Sequence, residues 1–217
     1  MLGRKIFLTG GTGYLGSRLI PLLLVRGHEV TALARPGSEA KLSGSVRIVA
    51  GNALDSESLR ESLSDCETWV QLIGTPHPAP WKARQFRAVD YRAVSASVQA
   101  LKNSRIRHYV YLSVAQPAPV MRAYVQVRQE AETLLRQTDT PVTFIRPWYV
   151  IGPGHRWPLL LTPIYRILER IPATREGALR FGLVTVDQML AAMVKTIEKP
   201  PASIQILDVP AIRLARL

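Results

Sequence analysis

One cysteine, Cys66, is too few for an internal disulfide, so nothing in this chain requires an oxidising compartment and a cytoplasmic location is expected. Its thiol is expected to be buried as a small apolar group. Long apolar runs are missing too: the longest, Leu19 to Val25, is broken by Pro21 and falls well short of the roughly 20 residues that cross a bilayer. No membrane partner is expected, and because a strand-like run already starts at Lys5, no signal peptide is expected either. The four histidines, His28, His77, His108 and His155, are scattered and offer no metal-ligand spacing, so no metal site is expected. His28, in a turn before a strand, reads as structural. Acidic residues are scarce, 16 against 28 Lys and Arg, which leaves a formal charge of +12. A basic excess invites nucleic acid, but the basic residues are spread from Arg4 to Arg216 and thicken only at Lys82, Arg84, Arg87 and Arg92. Without a basic stripe, a nucleic-acid partner is not expected.

What is present is ordinary for a globular chain with a core: 47% hydrophobic and 20% charged residues. A length of 217 residues suits a single α/β domain over 1–217. Its organising stretch is LTGGTGYLG, Leu8 to Gly16. The apolar run Lys5 to Leu8 before it reads as a buried strand, and Leu15, Leu19, Leu22, Leu23 and Arg26 after it fall at helical spacing. A second strand follows at Glu29 to Ala34, so the glycines sit between strand and helix in an opening βαβ unit. Each has a use: Gly10 permits the tight turn, Gly13 lets backbone approach a pyrophosphate, and Gly16 lets the helix pack against the sheet. The helix N-terminus adds unpaired N–H groups and a positive dipole end. Gly10, Thr12, Gly13, Tyr14, Leu15 and Gly16 are therefore assigned to a dinucleotide. The second strand ends in Arg35, where NAD-preferring sites place a carboxylate for the ribose 2′-hydroxyl; an arginine there favours the 2′-phosphate, and NADP is expected over NAD.

Further along, Val46 to Ala50 reads as a third strand, Glu57 to Leu63 as a helix, and Trp69 to Gly74 as a fourth strand. The proline-rich stretch Thr75 to Trp81 is a loop beyond its carboxyl end. A long helix from about Arg84 to Asn103 leads to a fifth strand, Tyr109 to Ser113. A loop from Val114 to Met121, a helix from Tyr124 to Gln137 and a sixth strand, Val142 to Ile145, follow.

The segments TGGTGYLG (Thr9 to Gly16), GNALD (Gly51 to Asp55), VDYRA (Val89 to Ala93), YLS (Tyr111 to Ser113), YVQVRQEAE (Tyr124 to Glu132) and IRPWYVIGPG (Ile145 to Gly154) together resemble the atypical and extended short-chain dehydrogenases/reductases, the epimerase-like NAD(P)-binding proteins. The resemblance covers nearly the whole chain. It implies a doubly wound parallel sheet, a Rossmann fold, with a small C-terminal segment covering the substrate side, 154–181. It also implies that Asn52, Ala53 and Leu54 lie near the adenine, that Ser113 is the substrate-orienting hydroxyl and Tyr124 the catalytic acid, and that the turn from Pro147 to Val150 faces the nicotinamide. Where the family has lysine four residues after the tyrosine, this chain has Arg128, on the same helical face. Arginine can hold the cofactor ribose but does not release a proton.

Only about 30 residues follow Gly154 before Val184 to Asp187, which resembles the family's late helix start, so a nucleotide-sugar substrate is poorly provided for. Trp148, Trp157, Leu159, Leu160, Leu161 and Tyr165 instead offer an apolar wall. The leading expectation is an NADP-dependent oxidoreductase taking a small-molecule carbonyl or quinone-like substrate, with Tyr124, Ser113 and Arg128 as the catalytic group. A non-catalytic NADP(H)-binding sensor or assembly protein is the alternative, and sugar epimerase or dehydratase chemistry a further one.

Overall fold

The computed structural model describes residues 3–42, 44–63, 65–154 and 162–217. Its first half runs β1 (Lys5–Thr9), α1 (Gly16–Val25), β2 (Glu29–Ala34), β3 (Arg47–Ala50), α2 (Ser56–Leu63) and β4 (Thr68–Gln71). After a loop come a helical turn, α3 (Ala83–Gln85), a π-helical stretch (Phe86–Tyr91) and α4 (Arg92–Leu101). Then follow β5 (His108–Leu112), α5 (Arg122–Arg136), β6 (Val142–Ile145) and β7 (Tyr149–Ile151). The C-terminal part is α6 (Thr162–Leu168), α7 (Pro172–Arg180), β8 (Leu183–Thr185), α8 (Val186–Glu198), β9 (Gln205–Leu207) and α9 (Val209–Arg213).

The main sheet has the order β3-β2-β1-β4-β5-β6-β9, with every adjacent pair parallel. This is the doubly wound arrangement the sequence led us to expect. The strands alternate their side chains between two cores, as the pleat requires. On one face Ile6, Leu8, Ala32, Val70, Val110 and Ile145 meet Leu19 and Leu23 of α1 and Met189, Met193 and Ile197 of α8. On the other, Phe7, Leu33, Trp69, Tyr109, Tyr111 and Phe144 meet α2, α4 and α5. Trp69 has no exposed surface and stands between Phe7 and Tyr109, with ring centroids 5.1 and 5.3 Å away. Burying an aromatic side chain of this size contributes roughly 1.5–3 kcal/mol. A capping box starts α8: Thr185 accepts from the Gln188 backbone, and the Gln188 side chain accepts from the Thr185 backbone.

Two local expectations are corrected. The helix expected from Arg84 to Asn103 passes through six residues of π-helix, and the wider turn brings both Phe86 and Asp90 inside. The helix expected to begin at Tyr124 begins two residues earlier, after Met121 in the left-handed region at φ 55°. β7 pairs with β8 in a separate parallel ribbon, and α6 and α7 lie between them in sequence. His155, Trp157, Leu159, Leu160 and Leu161 lie outside the described residues.

The sheet's strand order reverses direction at β1, with β2 on one side and β4 on the other. In such sheets the ligand crevice opens past the carboxyl ends of the strands at the reversal. Here that place lies between the residues after Thr9 and those after Gln71.

Candidate functional site

A cleft of about 710 Å³ occupies this point. One wall is the glycine loop, Gly10, Gly13, Tyr14, Leu15 and Gly16; the floor is Leu72, Gly74 and Leu112; the far side is Tyr124, Arg128, Trp148, Tyr149 and Val150. Gly10 takes φ +84°, and a Cβ there would stand 2.8 Å from the Leu72 carbonyl carbon, so the turn touches the end of β4. A Cβ on Gly16 would overlap the Gly10 carbonyl oxygen, which is how α1 starts directly against the turn. Gly13 differs from both. It is exposed, and a Cβ there would meet only the Gly10 oxygen, at 3.2 Å. The missing side chain leaves an open cradle, and no side chain caps the N-terminus of α1. Open backbone beside an uncapped helix start suits a pyrophosphate.

The far side is built on α5, whose buried stripe reads Arg128, Ala131, Glu132 and Leu135, at i, i+3, i+4 and i+7. Two charges on a buried stripe need partners. Arg128 Nη2 donates to Asp90 Oδ1 at 2.7 Å, and Nη1 donates to Tyr111 Oη at 3.0 Å and to the Leu112 carbonyl at 2.8 Å. Asp90 Oδ2 in turn accepts from the Thr75 backbone and hydroxyl at 3.0 and 2.6 Å. Burial works against the guanidinium charge, but Tyr111, Tyr124 and Asp90 outweigh it and hold Arg128 protonated well above the usual range. Burial pushes the Tyr111 phenol up to about 12 despite Arg128 beside it. The Tyr124 ring lies between Phe86, 5.0 Å away centroid to centroid, and the Arg128 guanidinium, 5.2 Å from its centroid.

Arg128 is therefore a strut beneath the cleft, tying α5 to β5, to the π-helix and to the loop after β4. Of the three guanidinium nitrogens of Arg128, Nε alone has no hydrogen-bond partner among the described residues. Ser113 is the clearest correction. β5 ends at Leu112, which lines the cleft, and by strand alternation the next residue points away from it. The Ser113 hydroxyl donates to Glu132 Oε1 at 2.7 Å and the residue is only 3% exposed. Glu132 also accepts from Gln116 Nε2 at 2.6 Å and from both Arg146 Nε, at 2.9 Å, and Arg146 Nη2. Ser113 thus belongs to a buried network that holds the loop after β5.

Other assigned residues fall around the cleft or apart from it. Val150 lines it, and Pro147 is buried behind, its carbonyl accepting from Ala115 N at 2.9 Å. Thr12 is exposed on the glycine loop. Arg35 is exposed at the end of β2, with no carboxylate at that strand end. Asn52 Oδ1 is taken up by the Leu54 backbone N–H at 3.0 Å in a local turn, while Ala53 is buried. Asp90 and Glu132 were missed as functional residues. Their signal was present: Arg128 and Glu132 share a helix face with Ala131 and Leu135, and Asp90 is the one carboxylate between Arg84 and Asn103. Cys66 is buried, and that burial pushes its thiol up. His28 accepts from Arg4 N at 3.1 Å and faces Glu198 at 3.4 Å, a structural role.

Residues 10–154 match a protein family described as NAD(P)H-binding. The chain belongs to that family. Related sequences include a 3-diazoavenalumate denitrifying reductase of Streptomyces, 24% identical over 223 aligned positions that cover 89% of this chain and 72% of the relative. A 4-hydroxy-2-methyl-3-oxo-4-farnesyl-3,4-dihydroquinoline-1-oxide ketoreductase of Stigmatella aurantiaca is 24% identical over 170 positions, 68% of this chain and 51% of that protein. The chain thus spans about half to three quarters of these relatives. Among solved structures, the Bordetella bronchiseptica enzyme WbmH in complex with NAD+ superposes with a TM-score of 0.71 at 19% identity, covering 94% of this chain and 75% of that one. The same fold is seen in a UDP-glucose 4-epimerase, with a TM-score of 0.70 at 15% identity over 97% of this chain and 80% of that one, and this NAD(P)H-binding chain has reductases among its relatives.

Proposed function

We propose that the chain is an NADP-dependent reductase of a small or apolar carbonyl or quinone-like compound. The observation that carries the reading is one cleft with the glycine cradle on one side and Tyr124 on the other, walled between them by Leu72, Leu112, Trp148 and Val150. The cradle fits a dinucleotide because Gly13 leaves open the space a Cβ would fill. The cofactor, when bound, supplies hydride. Tyr124 then delivers the phenolic proton to the carbonyl oxygen, a contribution of about 10² to 10⁴ in rate for a positioned acid. Arg128 acts through Tyr124 and through its single unpartnered Nε, since its other donors are engaged by Asp90, Tyr111 and Leu112. The preference for NADP rests on Arg35 and on the missing carboxylate at the end of β2. The apolar walls, together with a ketoreductase relative whose named substrate carries a farnesyl group, support an apolar substrate.

A non-catalytic NADP(H)-binding role is the second reading, and one observation favours it: Ser113 is turned into the Glu132 network and cannot orient a carbonyl in the cleft. The assay that separates the two is NADPH oxidation, followed by absorbance, against a panel of aldehydes, ketones and quinones. Under the reductase reading, turnover appears with an apolar carbonyl and falls at least about a hundredfold in Tyr124→Phe, with NADPH affinity retained. Turnover unchanged in Tyr124→Phe refutes the acid role, and no turnover across the panel favours the second reading.

A further inference from the structure

Ile164 and Ile167 stand one turn apart on α6, and Ile171 opens α7 in extended backbone; they form a short exposed apolar stripe along the segment, 53%, 58% and 43% exposed. Glu169, just past α6, instead meets Arg213 Nη1 at 2.7 Å through its carboxylate. A segment folding only against its own chain buries isoleucine and exposes glutamate. Arg170 and Arg175 stand exposed next to the stripe, and neither forms an ion pair with another described residue. Both carboxylates of the segment are engaged, Glu169 by Arg213 and Glu176 by Arg180. The segment adjoins the cleft: burial and the nearby Tyr149 raise the Tyr165 phenol, and Phe181, just past α7, packs on Trp148 at 5.0 Å. Trp148 and Tyr149 both line the cleft.

We propose that this face docks on an anionic lipid bilayer. Charge decides the occupant. A two-fold contact with a second copy would set the stripe and its arginines against the same groups, with no unengaged carboxylate to receive them. Anionic headgroups receive them directly, and three exposed isoleucines flanked by arginine have the make-up of a surface that sits at a lipid interface. None of the described helices is long and apolar enough to cross a membrane, so the contact is peripheral and revises the expectation of no membrane partner. Its use rests on the apolar-substrate reading above: a lipid-dissolved carbonyl compound reaches the cleft mouth from the bilayer.

The experiment is flotation of the unmodified full chain with vesicles of phosphatidylcholine alone or of equal parts phosphatidylcholine and phosphatidylglycerol. Binding is expected to the anionic vesicles only, and to drop at least about tenfold in Ile164→Ser/Ile167→Ser/Ile171→Ser and several-fold in Arg170→Gln/Arg175→Gln, with NADPH affinity unchanged. In case the triple variant fails to fold, Ile164→Cys in a Cys66→Ala background carries an environment-sensitive dye, whose emission is expected to shift to the blue on anionic vesicles. Absence of flotation with both vesicle types overturns the proposal. So does equal flotation of the triple serine variant, which would trace binding to the diffuse charge of +12, an unshifted dye, or a sedimentation profile in which the stripe holds a dimer. Flotation reads docking without turnover, so its failure leaves the reductase reading standing.

Discussion

Removing the Asp90 carboxylate by Asp90→Ala strips the acceptor from three donors at once, Arg128 Nη2, Thr75 N and Thr75 Oγ1, and leaves a guanidinium charge uncompensated in the protein interior. The Asp90 side chain has no exposed surface and that of Arg128 is 4% exposed, so water cannot replace what is lost. Breaking a buried ion pair from one side costs about 3–5 kcal/mol, a large share of the roughly 5–15 kcal/mol that holds a domain folded. Asp90→Asn keeps the volume and one acceptor and should cost about 1–3 kcal/mol. Asp90→Leu combined with Arg128→Met removes both charges and should cost less than the sum of its two single changes, with a coupling of about 1 kcal/mol or more. Urea denaturation followed by far-ultraviolet circular dichroism measures all of these, with an unchanged slope confirming that the same surface unfolds. NADPH affinity should fall alongside, because Thr75 leads into Pro76, His77 and Pro78 on the cleft wall. A cost below about 1 kcal/mol for Asp90→Ala, or strict additivity in the cycle, would refute the strut.

Three further predictions concern other parts of the molecule. Gly13→Val should abolish NADPH binding by calorimetry while the chain still folds, at a modest cost in unfolding midpoint because its Cβ meets the Gly10 backbone oxygen at 3.2 Å and no other atom within 4 Å; retained affinity in a folded variant would contradict the cradle. Arg35→Ala should erase a preference for NADPH over NADH of roughly ten- to a hundredfold, the value of a charge-assisted contact of about 1.5–3 kcal/mol, and equal affinities in the unmodified protein would contradict the assignment. Burial lowers His108 from 6.5 to about 4, so the unfolded chain binds more protons between those values. Stability is therefore full above pH 6.5 and lost as pH falls towards 4, by at most about 3 kcal/mol; His108→Gln should flatten that part of the stability–pH curve, and an unchanged slope would sink the idea.

The sheet was legible because parallel strands buried on both faces read as continuous apolar runs, and β1, β2 and β6 fell where those runs lie. The glycine loop was legible because each glycine answers a local demand of backbone or helix packing. Arg128 and Ser113 were harder for a common reason: their partners, Asp90 and Glu132, lie 38 and 19 residues away, and no local periodicity reports a contact across that distance. The π-helical turn was invisible in the same way, since what stabilises it is tertiary: Phe86 against Tyr124 and Asp90 against Arg128.

The position of β1 in the sheet also bears on how the chain comes to fold. β1 can pair with β2 across a short span, Ile6 with Val30, but its other edge waits for Thr68. Closing that longer loop costs more chain entropy and comes later along any route that favours nearby contacts. The cleft straddles this second pairing, so a chain with only its first three strands assembled has the glycine loop and no opposite wall. Cofactor binding therefore reports the joining of the two halves, and nucleotide added during refolding should leave the earliest phase untouched while drawing the population through the last one.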